Sequence, residues 1–276
     1  MRRPCGLCGA EQFSVWDTHN GFEVVICGQC GMGRSEMPDE GAEEVDERYD
    51  ESYYRSMWYD RKWRFRIRRA TRWLRYIQEL RQPPGVLLDI GCAMGYYLDA
   101  AQRLGWTAYG TDVSRHALKE TQRRGYQAFW SMHPRDFPEW LPPLDVVTAA
   151  QVIEHVPDPV EYLQALRAKM SPGGVIYLQL PNFQKLLRHG PQPDYAGPPE
   201  HLQFFTLDTM RRTLDKAGWR LVKVPLLRRR YVGCNPVRWL GEVLLECPRE
   251  LTREGMTLNG KLTNMHVFAV AGETGE

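Results

Sequence analysis

Three groups of residues in this 276-residue chain have the types and spacing to do chemistry. The first is a set of thiols in two knuckles, Cys5-Gly-Leu-Cys8 and Cys27-Gly-Gln-Cys30. Two Cys-x-x-Cys pairs separated by a short strand-and-turn segment match a four-thiolate zinc ribbon, each knuckle giving two sulfurs to one tetrahedral ion. Four sulfurs close the coordination shell, so this zinc would support folding rather than reaction. The rival reading is a pair of disulfides or a redox pair. Against it, Cys92, Cys234 and Cys247 are scattered and no leader segment stands out, which predicts a reducing, cytoplasmic setting.

The second group lies in Val86-Leu-Leu-Asp-Ile-Gly-Cys-Ala-Met-Gly-Tyr-Tyr97. An apolar run closes on Asp89, and Gly91, Ala93 and Gly95 then remove side-chain bulk at alternate positions. This reads as a strand feeding a tight turn built for close approach of a nucleoside, followed from Tyr96 by a helix whose amide end favours negative charge. About twenty residues on, Ala108-Tyr-Gly-Thr-Asp112 reads as a second strand ending in a carboxylate, where parallel α/β nucleotide folds hold ribose hydroxyls. The third group comprises two histidines, His201 with Glu200 beside it and His155, each beside a turn. Histidine titrates near neutrality and suits a general base, and an adjacent carboxylate can orient or charge-stabilise the ring.

The pattern Asp89-x-Gly91-x-Ala93-x-Gly95 is not the dinucleotide fingerprint, and it resembles motif I of the class I S-adenosylmethionine-dependent methyltransferases. The resemblance runs over roughly residues 85 to 224. The segment Leu144 to Pro159, with Glu154-His155-Val156 at the start of its turn, resembles motif IV as found in ubiquinone-type O-methyltransferases and many sugar and natural-product enzymes. In Leu166 to Pro181 a helix is expected to end at Pro172-Gly173-Gly174 and run into a fifth strand. The resemblance implies an α/β, Rossmann-like fold, a seven-stranded mostly parallel sheet with helices on both faces. It also implies S-adenosylmethionine as cofactor, Asp89 supporting its methionine end and Asp112 binding its ribose, with Gly91, Ala93, Gly95, Tyr96 and Val113 lining the turn.

One departure stands out. Where the family places an acidic residue after the third strand, near adenine, this chain reads Gln127-Ala-Phe-Trp-Ser-Met132. Adenine recognition would rest on the Ser131 hydroxyl, a backbone carbonyl, or stacking on Trp130 or Met132; Trp130 is equally readable as a core or interface aromatic. Gln151, closing the fourth strand, is expected to touch the cofactor or shape the pocket. In several sugar methyltransferases a histidine in the segment resembling Glu200-His201 takes the acceptor proton. His201 is therefore the first candidate base, with Glu200 in support, and His155 the second; the alternative for His155 is packing at a helix start near the cofactor. Thr206 is expected to cap a helix over Leu207 to Ala217 that stops at Gly218.

These elements organise the chain as a ribbon over 1–36, a linker and lid over 37–82, and a methyltransferase domain over 83–276 with an insertion at 226–262. Asp39 to Asp50 reads as a solvated acidic linker. Tyr49, Tyr53 and Tyr54 are candidate lid residues, or aromatics packing a helix onto the sheet. Trp63, Ile67, Ala70, Leu74 and Ile77 recur at helical spacing, with an arginine-rich outer face that is either solvated or attractive to a phosphorylated substrate. The sixth and seventh strands are placed at Trp219 to Pro225 and Met265 to Ala271. Between them lie Arg228-Arg229-Arg230-Tyr231 and an expected helix from Pro236 to Cys247.

A formal charge of +2 argues against a dedicated nucleic-acid binder, and no segment resembles a membrane span. The expected activity is methyl transfer to a small molecule, at oxygen of a sugar, a nucleotide-linked sugar or a secondary metabolite. Zinc ribbons on this catalytic type also resemble deoxysugar C-methyltransferases, whose chains carry a further carboxyl-terminal domain. An rRNA or tRNA methyltransferase with a zinc module is a further alternative, although the Asn/Asp-Pro-Pro-aromatic turn that clamps a base nitrogen is not found after the fourth strand. A catalytically silent S-adenosylmethionine-binding module is the last.

Overall fold

The computed structural model describes residues 2–38, 41–56, 63–191, 195, 197–222, 250–251, 257–258 and 264–272. In chain order the strands begin with β1 (Phe13–His19), β2 (Phe22–Cys27) and β3 (Gly33–Ser35), followed by helices α1 (Ala42–Arg48), α2 (Glu51–Ser56) and α3 (Trp63–Ile77). Next come β4 (Val86–Ile90), α4 (Tyr96–Arg103), β5 (Thr107–Asp112), α5 (Arg115–Arg123), β6 (Gln127–Trp130), β7 (Leu144–Ala150), α6 (Pro159–Arg167) and β8 (Met170–Pro181). The remainder is α7 (Phe183–His189), β9 (Gln203–Phe204), α8 (Leu207–Lys216), β10 (Trp219–Leu221), β11 (Glu250–Leu251), β12 (Thr257–Leu258) and β13 (Asn264–Ala271).

The large sheet runs β11-β12-β13-β8-β7-β4-β5-β6, with β10 on β13, so the seven expected strands are present and two two-residue strands extend the edge. Parallel pairing of β4 with β5 and β7, and of β5 with β6, aligns Asp89 with Gly110 and Thr148, and Asp112 with Trp130. Strands buried on both faces of a parallel sheet read as apolar runs, and Leu87, Leu88, Val146, Val147, Val175 and Ile176 are fully buried here. Helix starts follow their caps: Ser114 accepts the Ala117 amide, Asn182 that of Gln184 and Thr206 that of Thr209.

Two boundaries differ from the sequence expectation. α6 closes at Arg167, before Pro172-Gly173-Gly174, because the Lys169 carbonyl already accepts the Leu144 amide at 2.9 Å and the chain has joined the ladder. The sixth strand is described only over Trp219–Leu221. Its continuation to Pro225, the Arg228 to Tyr231 turn, the helix from Pro236 to Cys247, Cys234, and Met57 and Trp58 lie outside the described residues.

The chain divides into two compact units: Met1–Pro38 with Gln151–Leu163 and Leu178–Ala269, and Asp39–Ala150 with Gln164–Tyr177 and Val270–Glu276. In the first, a small sheet of order β1-β2-β3-β9 is nucleated by the Asn20-Gly21 turn, whose φ values of 50° and 82° suit a two-residue hairpin. In the second, α3 buries Ala70, Trp73, Leu74 and Ile77 and stacks Trp73 on Tyr177. No helix among the described residues is long and apolar enough to cross a membrane.

Candidate active site

The turn after β4 is left-handed at Gly91 (φ 67°), Ala93 (φ 48°) and Gly95 (φ 87°). At Ala93 this conformation costs about 1–3 kcal/mol, and such strain persists only where surrounding bonds impose it. Here the Ala93 amide donates to Asp112 Oδ2 at 2.8 Å and the Thr121 hydroxyl donates to the Ala93 carbonyl at 2.6 Å. The second Asp112 oxygen accepts the Ser114 amide at 2.9 Å. Gly110, facing the turn, admits Cys92 and Leu98; a Cβ there would stand 2.8 Å from the Cys92 sulfur and 2.9 Å from Leu98 Cδ1.

Asp89 is 2% exposed and accepts the Thr148 hydroxyl at 2.6 Å. Burial pushes Asp89 up to about 8, with the Thr148 bond opposing. Burial likewise lifts Asp112 to about 6 against the opposing amides of Ser114 and Ala93. Both carboxyls hold a proton more tightly folded than unfolded, where a carboxyl titrates at about 4. Their contribution to stability is thus fully present below about pH 4 and is lost as pH rises through 6 and 8. The cofactor-free chain should show a melting temperature that falls between pH 5 and 9, with a shallower fall in Asp89→Asn. A slope unchanged by that substitution would remove Asp89 from the account. A cationic cofactor favours the carboxylate, so its affinity should rise over the same window.

α1 and α2 are tied to the turn. Asp46 accepts the Arg115 amide at 2.7 Å and pairs with its guanidinium at 2.9 Å, and the Tyr49 carbonyl accepts the Ser114 hydroxyl at 2.6 Å. Tyr54 is buried with Ala93, Met94 and Ala117, and Tyr49, Tyr53, Trp63 and Tyr96 pack around this cluster. At the end of β6, Trp130 is 36% exposed and its indole N–H donates to the Val113 carbonyl at 2.9 Å. The Ser131 hydroxyl is engaged inside its own turn, donating to the His133 carbonyl and accepting the His133 amide, and Met132 is half-buried. The Arg115 guanidinium lies over the Trp130 ring, 5.9 Å from its centroid.

The first unit carries the histidines. Gln151, just past β7, is left-handed (φ 60°), its amide donating to the Gln179 carbonyl at 2.7 Å. His155 and His201 meet edge-to-face with ring centroids 4.9 Å apart, and His201 is only 8% exposed. A carbonyl can only accept, so the 2.6 Å contact from His155 Nδ1 to the Glu200 carbonyl fixes Nδ1 as the protonated nitrogen and leaves Nε2 facing Glu154 Oε1 at 4.0 Å. Glu200 thus acts on His155 through its backbone, and its side chain is exposed. The acid beside the histidines is Glu154, 1% exposed and pushed up to about 8 by burial, with the backbone amides of Glu154 and Val152 opposing. Glu154, His155 and His201 place one ligand atom each within 4.8 Å of one another.

In the same unit Cys5 Sγ stands 3.5 Å from Cys30 Sγ, and Cys8 Sγ 3.5 Å from Cys27 Sγ, with all four within 4.8 Å. A tetrahedral zinc with Zn–S near 2.3 Å needs sulfurs about 3.8 Å apart, whereas a disulfide needs about 2.05 Å. The donor set therefore fits a zinc ion. Burial pushes the Cys5 and Cys30 thiols up, whereas at Cys27 the backbone amides of Cys30 and Gln29 outweigh burial and lower the group to about 7.

The model of the methyltransferase domain family matches residues 62–224, more than half of the chain. The chain belongs to this family. A ubiquinone biosynthesis O-methyltransferase of Thiobacillus denitrificans is 30% identical over 109 residues, covering 35% of this chain and 44% of that protein, so the chain spans less than half of the relative's length. An S-adenosylmethionine-dependent methyltransferase of Clostridium acetobutylicum superposes with a TM-score of 0.55 at 10% identity, covering 81% of this methyltransferase and 100% of that chain. Magnesium protoporphyrin IX methyltransferase of Synechocystis, solved with bound SAH, gives a TM-score of 0.53 at 14% identity over 84% of this chain and 100% of that one. At such identities these structures speak for the fold.

Proposed function

We propose that this methyltransferase acts on a hydroxyl of a small-molecule acceptor, such as a sugar, a nucleotide-linked sugar or a secondary metabolite, with His201 as the base. The observation that carries this reading is the edge-to-face pair of half-buried His155 and buried His201 beside the buried Glu154 carboxyl. A relative that works in ubiquinone biosynthesis as an O-methyltransferase supports oxygen as the accepting atom.

When bound, S-adenosylmethionine supplies a methyl group on a sulfonium, whose carbon–sulfur bond breaks with its electron pair returning to sulfur. Asp112 takes the ribose hydroxyls, Asp89 and the 91–95 turn hold the methionine end, and Tyr49, Tyr53 and Tyr54 exclude water. An acceptor hydroxyl is a weak nucleophile until its proton leaves, and the His201 imidazole takes that proton and returns it to water. Positioning supplies much of the rest of the rate. Cys5, Cys8, Cys27 and Cys30 hold a structural zinc in a reducing compartment.

The test is transfer of tritium from methyl-labelled cofactor to three panels: hydroxylated aromatic compounds, nucleotide-linked sugars, and tRNA with rRNA. Label is expected in one of the first two. Label confined to RNA would replace this reading by the nucleic-acid alternative, and cofactor binding without transfer to any panel would favour a silent binding module.

A second reading rests on the same cluster of Glu154, His155 and His201. A carboxylate with two imidazoles is a common divalent-metal set, and a cation held by Glu154, His155 and His201 would orient acceptor oxygens in place of a protein base. Activity lost on removal of loosely held metal, at constant zinc content, and restored by a divalent cation would favour it.

A further inference from the structure

The zinc ribbon and the loop that carries His201 are one hydrogen-bonded body. At its upstream end the loop is held by the β1–β2 hairpin tip. Tyr195 donates to Asp17 Oδ2 at 2.7 Å and lies ring to ring with His19 at 4.6 Å, while Asn20 Nδ2 donates to the Pro198 carbonyl at 2.9 Å. At its downstream end it is held by β3. The buried Ser35 hydroxyl donates to the His201 carbonyl at 2.8 Å, the Ser35 amide donates to the Leu202 carbonyl at 3.0 Å, and Gly33 and Arg34 pair antiparallel with Phe204 and Gln203. Between these clamps the Gly197 carbonyl accepts the amides of both Glu200 and His201 at 3.1 Å.

The thiol site sets β3. β2 ends on Cys27, whose carbonyl accepts the Gly31 amide and whose amide donates to the Met32 carbonyl at 2.9 Å, so the second knuckle leads into Gly33 through Gly31 and Met32 alone. The packing is close as well: a Cβ on Gly33 would stand 2.9 Å from Phe204 Cβ and 3.1 Å from Phe183 Cε1. Val24 of β2 shares an apolar cluster with Phe183, Tyr195 and Phe204. Clamps at the two ends of the 195–204 segment leave the His201 backbone little freedom once both are made, and releasing β3 would remove one of them.

We infer that the four-cysteine ribbon is the positioning element of the His201 loop, with Ser35 as its contact residue, so that metal at the thiols controls methyl transfer. This goes beyond a folding role for the zinc, and it rests on the reading of His201 as the acceptor-side base. Cofactor affinity should be left alone, because the residues assigned to the cofactor turn belong to the other unit.

The test uses the full chain in three forms: as purified, after zinc is withdrawn with a chelator and quantified, and as Ser35→Ala with Ser35→Thr as the conservative control. Peptide-level hydrogen exchange over 195–205, calorimetric S-adenosylmethionine affinity, kcat and acceptor KM, and the pH–rate profile are read on each. On zinc withdrawal, exchange over 195–205 should accelerate at least about 10-fold, kcat should fall at least about 10-fold, and cofactor affinity should stay within about 2-fold. Ser35→Ala should keep full zinc content and lower kcat about 3- to 10-fold with a displaced acid limb in the pH profile, and Ser35→Thr should recover most of the loss. Gly33→Val, which needs no metal change, should release the loop in the same way. Exchange over 195–205 that is unchanged when zinc is withdrawn and in Gly33→Val would overturn the positioning role. Faster exchange with unchanged kcat would instead overturn the reading of His201 and leave the mechanical coupling intact.

Discussion

The His201→Ala enzyme is expected to turn over about 10²–10⁴-fold more slowly than wild type, the usual contribution of a positioned acid or base, with cofactor affinity near wild type. The native pH–rate profile should fall on the acid side as an imidazole protonates, and that limb should vanish in the variant. Glu200→Gln should cost little, because Glu200 holds the His155 ring through its carbonyl and not its side chain. Glu154→Gln should cost more, since it removes the only acid beside the two imidazoles among the described residues. If His201→Ala retains near-native turnover and the acid limb persists, the proton goes to His155 or to solvent.

The Asp112→Ala enzyme is expected to bind S-adenosylmethionine about 1.5–3 kcal/mol more weakly, the range for hydrogen bonds to a charged group. That is one to two orders of magnitude in dissociation constant. Two effects combine, because the carboxylate proposed to take the ribose also accepts the amides of Ala93 and Ser114. Asp112→Asn separates them: it keeps an oxygen for one amide and loses the charge, so it should bind between wild type and Asp112→Ala. Unchanged calorimetric affinity in Asp112→Ala would sink the cofactor assignment.

Much of this was legible in the chain itself. The Asp89-x-Gly91-x-Ala93-x-Gly95 turn, the strand ending at Asp112 and the two knuckles are local patterns, and the structure forms each where its residues predict. What was hidden depends on partners distant in sequence. Thr148 meets Asp89 only through the β4–β7 register, and Gly110 is required only because Cys92 and Leu98 close on it. Glu154 sits beside a better base, and nothing in the sequence sets it apart until its burial beside His155 and His201 is visible. The ribbon likewise reads as a separate module, because nothing near Ser35 announces a bond to a residue 166 positions away.

The most direct test of the central claim is the identity of the methylated atom. Methyl-¹³C-labelled S-adenosylmethionine should be turned over with the acceptor found in the labelling panels, and the product carbon read by NMR. The account predicts a single new methyl carbon bonded to oxygen, formed by wild type and lost in His201→Ala. A methyl bonded to nitrogen or carbon, or an O-methyl product formed equally well without His201, would contradict it.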